Sequence, residues 1–338
     1  MGLIDQTTYR SHPGLNQSLL KYISEPGVFK AKQAANANKE TDDEEVLEKE
    51  NIVMGSFLDD ILLDYDLIGT KYVVTDDFVV SEAIGEIVQA VYSTIKQSGT
   101  LVSDNIIDYK DTIPGAAKIA NRYLTYKADT VINKVVEEGA GYFNFLCKKG
   151  NKIPISENNY QLMLFHYNQL KTMFVPSDDM IEVRPKVCLE SDFNGVLLKS
   201  ELDYLIINHR DKTFKVIDLK TTTDLLSFQK SIWKYRYDFQ MAFYNFMVTL
   251  NLSELGISDY VQLPAEWVCV SNSAKLPVRK TTCMVNSLKS FKSFDRKYLG
   301  VLEAIDLYKW HLEQEKWEYP KHIYVNGTDY FNPTVVYE

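Results

Sequence analysis

Hydrophobic positions change their spacing about halfway along the chain. Residues 12–32, HPGLNQSLLKYISEPGVFKAK, read as a short helix entered after Pro13–Gly14, with Asn16 placed to cap it. In IVMGSFLDDILLDY, residues Ile52, Phe57, Leu58, Ile61 and Leu62 have the spacing of a buried helix. Helical patterns continue over 76–138, in SEAIGEIVQAVYSTIKQ and AAKIANRYL, pass through a basic turn at 148–154, and resume in an aromatic-rich helix at 156–175. Between the first two helices, 33–51 is polar and charge-rich and reads as a mobile, solvated segment. From about 181 the runs IEVRPKVCLES, GVLLKSELDYLIIN and TFKVIDLKT are rich in Val, Ile and Leu and read as strands, two of them separated by a turn at 208–213. A helix is expected over 231–250, a strand in EWVCVSN, a second in PVRKTTCMV, and a long closing helix over 286–316. Without repeats or a clear linker, this order predicts one α/β domain. Residues 1–155 form its mainly helical N-terminal part, 180–285 a sheet core, and 286–338 a C-terminal helix and tail.

Composition narrows the class only in part. The 338 residues are 45% hydrophobic and 25% charged, as in ordinary globular proteins. No apolar run approaches membrane-spanning length, and the N-terminus lacks the basic-then-apolar order of a secretory signal. The four cysteines, Cys147, Cys188, Cys269 and Cys283, are widely spaced and read as free thiols of a reducing cytoplasm. The five histidines show no ligand spacing. A net charge of −9 argues against a protein that coats nucleic acid by global attraction, but not against a local basic groove.

The chemistry concentrates in SELDYLIINHRDKTFKVIDLKTT. Asp218 and Lys220 are two apart on one strand and share a face. If the hairpin turns about Arg210–Asp211, Asp203 stands directly across from Asp218, with Cβ atoms roughly 5 Å apart. Two facing carboxylates repel, and a divalent cation removes that penalty; hard oxygen donors suit Mg²⁺ or Mn²⁺. Lys220 beside such a cation could orient a water or stabilise charge on a phosphate. The combination implies metal-assisted hydrolysis of a phosphodiester. An exposed hairpin with surface Asp and Lys is the plainer alternative, since D-x-K alone is common. Downstream, Gln240 and Tyr244 are spaced i,i+4 on one helical face, where an amide and a phenol can hold a phosphate or a water.

The order Asp203…Asp218-x-Lys220…Gln240-x-x-x-Tyr244 resembles the PD-(D/E)XK nuclease superfamily and its RecB-like branch. HPGLNQSLLKYISEPGVFKA, MGSFLDDILL, KSELDYL, VIDLKTT and YDFQMAFY follow one another as in RecE-type exonucleases (exonuclease VIII). The resemblance spans about 10 to 320. It implies a restriction-endonuclease-like core, a central mixed sheet flanked by helices, and Mg²⁺-dependent 5′→3′ digestion of double-stranded DNA ends. It further implies a homo-oligomer, a phage or prophage recombination setting in a bacterial cytoplasm, and a single-strand annealing protein as partner. On this resemblance Asp203 and Asp218 are metal ligands, Lys220 is the catalytic lysine, and the Leu219 carbonyl is a further ligand. The family helix carries His where this chain has Asp59, which could bind the metal or mark weakened activity. Glu182, with Glu190 as alternate, is the candidate for another acidic ligand. Lys289, Lys292 and Arg296 recur at helical spacing among aromatics and, with Lys199, are candidate DNA contacts. No phosphate-binding GxxxxGK[ST] loop is present, so no intrinsic nucleotide motor is expected. A structure- or site-specific endonuclease and a catalytically weakened DNA-end-binding module stay open as alternatives.

Overall fold

Short polar side chains open both N-terminal helices. Asp5 accepts the Thr8 amide at 2.9 Å to start α1 (Gln6–Ser11), and Asn16 accepts the Leu19 amide at 3.0 Å to start α2 (Gln17–Ser24). The computed structural model describes residues 2–24, 50–75, 80–293 and 296–326. Nearly all of the charged stretch 33–51 therefore lies outside the described residues. The chain divides into two units, Met1–Val46 with Asn168–Glu338, and Leu47–Tyr167.

The unit Leu47–Tyr167 is mainly helical. It contains α3 (Glu50–Leu63), α4 (Leu67–Lys71), β1 (Tyr72–Thr75), α5 (Glu82–Gln97), α6 (Ile113–Ile119), α7 (Ala128–Lys149) and β2 (Ile153–Ser156), with β1 and β2 paired in parallel. On α5, Ile84, Ile87, Val88, Val91 and Ile95 recur every three or four residues and form one buried stripe. It packs against Val131, Val135 and Phe143 of α7. Gly139 permits this approach: a Cβ there would lie 2.5 Å from Val88 Cγ2. The unit boundary falls within α8 (Glu157–Phe174).

The other unit is built on a six-stranded mixed sheet. Its long members are β3 (Ile181–Phe193), β4 (Val196–Asn208) and β5 (Thr213–Thr222). After β5 come α9 (Phe228–Tyr235), α10 (Tyr237–Leu250), β6 (Val261–Gln262), β7 (Glu266–Ser271) and β8 (Arg279–Thr282). The path is β3-β4-β5-β7-β8, with β6 beside the start of β5. Pairings β3–β4, β4–β5 and β7–β8 are antiparallel, and β5–β7 is parallel. Helix α10 packs on β3, β4 and β5. Its Phe239, Phe243, Met247 and Val248 join Leu205, Ile207, Phe214 and Val216 in one core. The architecture is the expected central mixed sheet flanked by helices. No helix among the described residues is long and apolar enough to cross a membrane.

Two expectations are corrected. The single helix over 231–250 is two helices, broken at Arg236, whose backbone is left-handed (φ 53°). The guanidinium of Arg236 turns back onto the buried Asp238 at 3.1 Å and onto the Leu299 carbonyl at 3.1 Å, which fixes the break. The closing helix does not begin at 286. Residues Phe291–Ser293 (β9) and Arg296–Tyr298 (β10) form a hairpin, and α11 (Val301–Gln314) starts after Gly300; α12 (Lys321–Asn326) follows. The hairpin prevails because Phe291 and Tyr298 are cross-strand partners whose rings stack at 5.2 Å.

Candidate active site

The β4–β5 ladder has the register expected from the sequence. It runs from Asn208↔Thr213 to Tyr204↔Ile217, so Asp203 and Asp218 occupy the next step. Asp203 Oδ2 accepts the Leu219 amide at 3.0 Å, which draws this carboxylate onto the β5 backbone. Asp218 is 1% exposed, and Lys220 Nζ approaches its two oxygens at 2.9 and 2.7 Å. Strand alternation thus puts the carboxylate and the ammonium side by side, as the spacing predicted. The carbonyl of Leu219 belongs to the peptide between them.

Helix α10 supplies the site's other wall. Gln240 and Tyr244, one turn apart, are joined at 2.9 Å, with the amide donating to the phenol oxygen. The Tyr244 proton is therefore left to donate elsewhere. Burial first, and then the carboxylates of Asp218 and Asp203, push this phenol well above its ordinary pKa, against the Gln240 hydrogen bond. It remains a neutral donor. Burial pulls Lys220 down, but the carboxylates of Asp218 and Asp203 outweigh it and hold the ammonium above its usual value. With its two carboxylate neighbours unoccupied by a metal, Lys220 is thus a cation and a donor. Cys269, its neighbour on β7, is pushed up to about 12 by burial and the nearby Asp218, so no thiolate nucleophile is at hand.

Two residues of the site escaped the sequence reading. Lys186 Nζ lies 3.0 Å from Asp203 Oδ1. It sits where the β3–β4 ladder steps from Pro185↔Tyr204 to Val187↔Leu202, in a left-handed conformation (φ 46°). Pro185 was the available signal, since proline inside a strand marks an edge or an irregularity, and β3 is the edge strand. Tyr237, at the start of α10, places its ring 4.8 Å from Lys220 Nζ.

Glu182, Glu190 and Lys199 do not join the cluster on the β4–β5 hairpin. Glu182 is four residues along β3 from Lys186, or roughly 13 Å at strand rise. It is committed to Arg184 at 2.6 Å and His209 at 3.0 Å. Glu190 is as far in the other direction, paired with His12 at 2.6 Å. The structure therefore takes both glutamates out of the carboxylate cluster. Lys199 is also corrected: it is 3% exposed and donates to the carbonyls of Tyr9 and His12 at 3.0 and 2.7 Å. It anchors the N-terminal segment to β4 and is closed to a phosphate. Asp59 lies on α3, in the unit Leu47–Tyr167, next to an Asp60 that accepts Lys71 at 2.6 Å and Tyr72 at 2.5 Å. Lys289, two residues before β9, and Lys292, on β9, are exposed, and Arg296 opens β10.

No group of three or more His, Cys, Asp or Glu residues among the described residues is arranged to hold a metal. Among the described residues of the sheet unit, two carboxylates and a peptide carbonyl stand together at the hairpin. That donor set fits a cation such as Mg²⁺, which binds through one or two carboxylates and keeps water and phosphate oxygens for its other positions. The ammonium groups of Lys186 and Lys220 neutralise the same two carboxylates here.

A solved structure from Eubacterium rectale, described as "Putative exonuclease", aligns over 99% of this chain and 97% of its own, at 10% identity and a TM-score of 0.44. No curated protein matches the sequence. The model of the PD-(D/E)XK nuclease superfamily matches residues 157–317. That segment holds Asp203, Asp218, Lys220, Gln240 and Tyr244.

Proposed function

We propose that the protein is a Mg²⁺-dependent deoxyribonuclease that trims double-stranded DNA ends from the 5′ side. The observation that most supports this reading is the convergence of Asp203, Asp218 and Lys220 on one hairpin face beneath Gln240 and Tyr244. Asp203, Asp218 and the Leu219 carbonyl would hold the divalent cation. When bound, it would lower the pKa of a water and offset charge on the scissile phosphate. Lys220, held as an ammonium, donates to the attacking water or to a non-bridging phosphate oxygen. Tyr244 donates its free proton to a phosphate oxygen, and Gln240 fixes the orientation of that phenol. Tyr237 lies against the side of Lys220 and narrows the directions its ammonium can take. In the reaction water adds to phosphorus and gives up a proton, the bond to the leaving deoxyribose oxygen breaks, and that oxygen takes up a proton in its place. A role in recombination beside an annealing protein, a ring-shaped oligomer and a phage origin belong to the same reading and rest on the sequence resemblance.

The test is digestion of linear, covalently closed and end-labelled duplex DNA with Mg²⁺. Loss of label from 5′ ends of linear DNA alone is expected. Cleavage of closed circles would favour an endonuclease. Tight binding without turnover, with Mg²⁺ or Mn²⁺, would favour an end-binding module.

A further inference from the structure

Lys186 holds its place in β3 at the expense of regular backbone. The pairs on either side of it, Pro185↔Tyr204 and Val187↔Leu202, keep a single register. No residue is inserted, and Lys186 stands directly across from Asp203. Its φ of 46° is nonetheless left-handed, a region that residues with a side chain seldom enter. The surroundings hold it there. Its carbonyl accepts the Cys188 thiol at 3.6 Å, and the Cys188 carbonyl accepts the Ile4 amide at 3.1 Å, so the N-terminal segment braces β3 two residues away. Backbone strain of this kind persists at positions where a side chain must be aimed. Asp203 does not depend on this lysine for its own orientation. Its Oδ2 accepts the Leu219 amide at 3.0 Å, while Oδ1 meets Lys186 Nζ, also at 3.0 Å. The two lysines of the site also differ in how firmly they are engaged. Lys220 bears on both oxygens of Asp218, whose side chain is 1% exposed, and lies over the Tyr237 ring. Lys186 bears on one oxygen of Asp203, whose side chain is 21% exposed. Of the two ammonium groups, that of Lys186 is the one with room to change partner.

We infer that Lys186 is a second phosphate-binding lysine: it leaves Asp203 when a divalent cation binds there and donates to a non-bridging oxygen of the scissile phosphate. The inference rests on the nuclease reading above and deepens it. Charge supports the assignment. The ammonium groups of Lys186 and Lys220 balance the carboxylates of Asp203 and Asp218. A divalent cation added to that set leaves two positive charges in excess. A phosphodiester carries one negative charge, and addition of a deprotonated water oxygen raises it to two at the five-coordinate stage. With Lys220 alone the excess would match the substrate. With Lys186 as well it matches the transition state, and only that match speeds the reaction. Reach supports it too: the ammonium stays within one side-chain length of Asp203 wherever it turns.

The experiment compares the full chain with Lys186→Met, Lys186→Asn and Lys186→Arg in two measurements. One is Mn²⁺ binding to the DNA-free protein by calorimetry. The other is kcat and KM for end-labelled duplex at saturating Mg²⁺. Circular dichroism checks folding, and asparagine, which tolerates left-handed backbone, keeps the test valid if methionine disturbs β3. In the Met and Asn variants Mn²⁺ is expected to bind more tightly, while kcat falls about 10²-fold and KM changes little, as for loss of one donor to transition-state charge. Lys186→Arg keeps the charge and is expected to recover most of the lost rate. A lysine with a merely structural role would not combine tighter metal binding with slower cleavage. Tighter Mn²⁺ binding with unchanged kcat makes Lys186 a competitor for the cation and nothing more, and overturns the inference. A joint loss of Mn²⁺ binding and kcat overturns it as well, because Lys186 then acts through the cation. In both cases cleavage by the unaltered protein leaves the nuclease reading standing. If the unaltered protein cleaves no DNA with Mg²⁺ or Mn²⁺, both fall.

Discussion

Lys186 and Asp203 face each other from neighbouring strands at the one step where the β3–β4 ladder is interrupted, with Nζ 3.0 Å from Oδ1. A non-glycine residue with positive φ inside a strand is costly, and such strain concentrates at functional positions. The ion pair puts an ammonium on a carboxylate proposed to hold a divalent cation. A cation entering there must displace it.

Lys186→Met removes that competitor. A partly exposed ion pair contributes up to about 1 kcal/mol, so Mn²⁺ should bind roughly fivefold tighter. Titration calorimetry on the DNA-free protein measures this. Weaker Mn²⁺ binding in the variant would show that Lys186 supports the cation instead.

Lys220→Met should separate stability from chemistry. It takes the ammonium away from Asp218, which is 1% exposed, and losing one partner of a buried pair costs about 3–5 kcal/mol. Urea unfolding without metal should show that loss, and added Mg²⁺ should recover part of it by replacing the missing charge. Nuclease activity should stay down by about 10²–10³-fold even with saturating Mg²⁺, because the donor to the reacting oxygens is gone.

His311 sets a pH dependence of stability. Burial pulls this imidazole below its ordinary value of 6.5, against the hydrogen bond with the Lys316 carbonyl. The folded chain therefore keeps the ring neutral where the unfolded chain protonates it. The contribution is complete above pH 6.5 and declines as the pH falls from there toward the folded-state value. His311→Gln should give a flatter stability profile between about pH 7 and 5. A slope identical to that of the unaltered protein would assign the effect to other groups.

Gly139→Ala weighs helix propensity against packing. Alanine within α7 should gain about 1 kcal/mol. Its Cβ, however, would lie 2.5 Å from Val88 Cγ2 and 3.3 Å from Ile84 Cγ2, and overpacking of that kind costs about 1–3 kcal/mol. The expected outcome is a net loss in urea unfolding. A gain would show that α5 can shift away without penalty.

The sequence made the hairpin legible because its turn residues and its alternation pointed to one register, and the register carried Asp203, Asp218 and Lys220 with it. Gln240 and Tyr244 were legible for the analogous helical reason. The failures have several causes. The break at Arg236 and the placement of Lys186 depend on left-handed backbone at non-glycine residues, which composition does not signal. FKSFDRKY has both helical and strand spacing, and only the Phe291–Tyr298 stack decides between them. Lys199 looked available because alternation does not reveal that the N-terminal segment covers its strand. Glu182 was the right residue type on the right strand, but four residues from the position that faces Asp203.

Strand β5 is flanked by β4 on one side and β7 on the other, and both Asp218 and Lys220 belong to it. Its amides should be among the slowest in the protein to exchange with deuterium, since β5 is held by β4 along its first half and by β7 along its second, in the middle of the sheet. The β9–β10 hairpin, which among the described residues pairs only with itself, should exchange far sooner. On heating, the β9–β10 hairpin should then come apart before the strand that carries the carboxylate of Asp218 and the ammonium of Lys220.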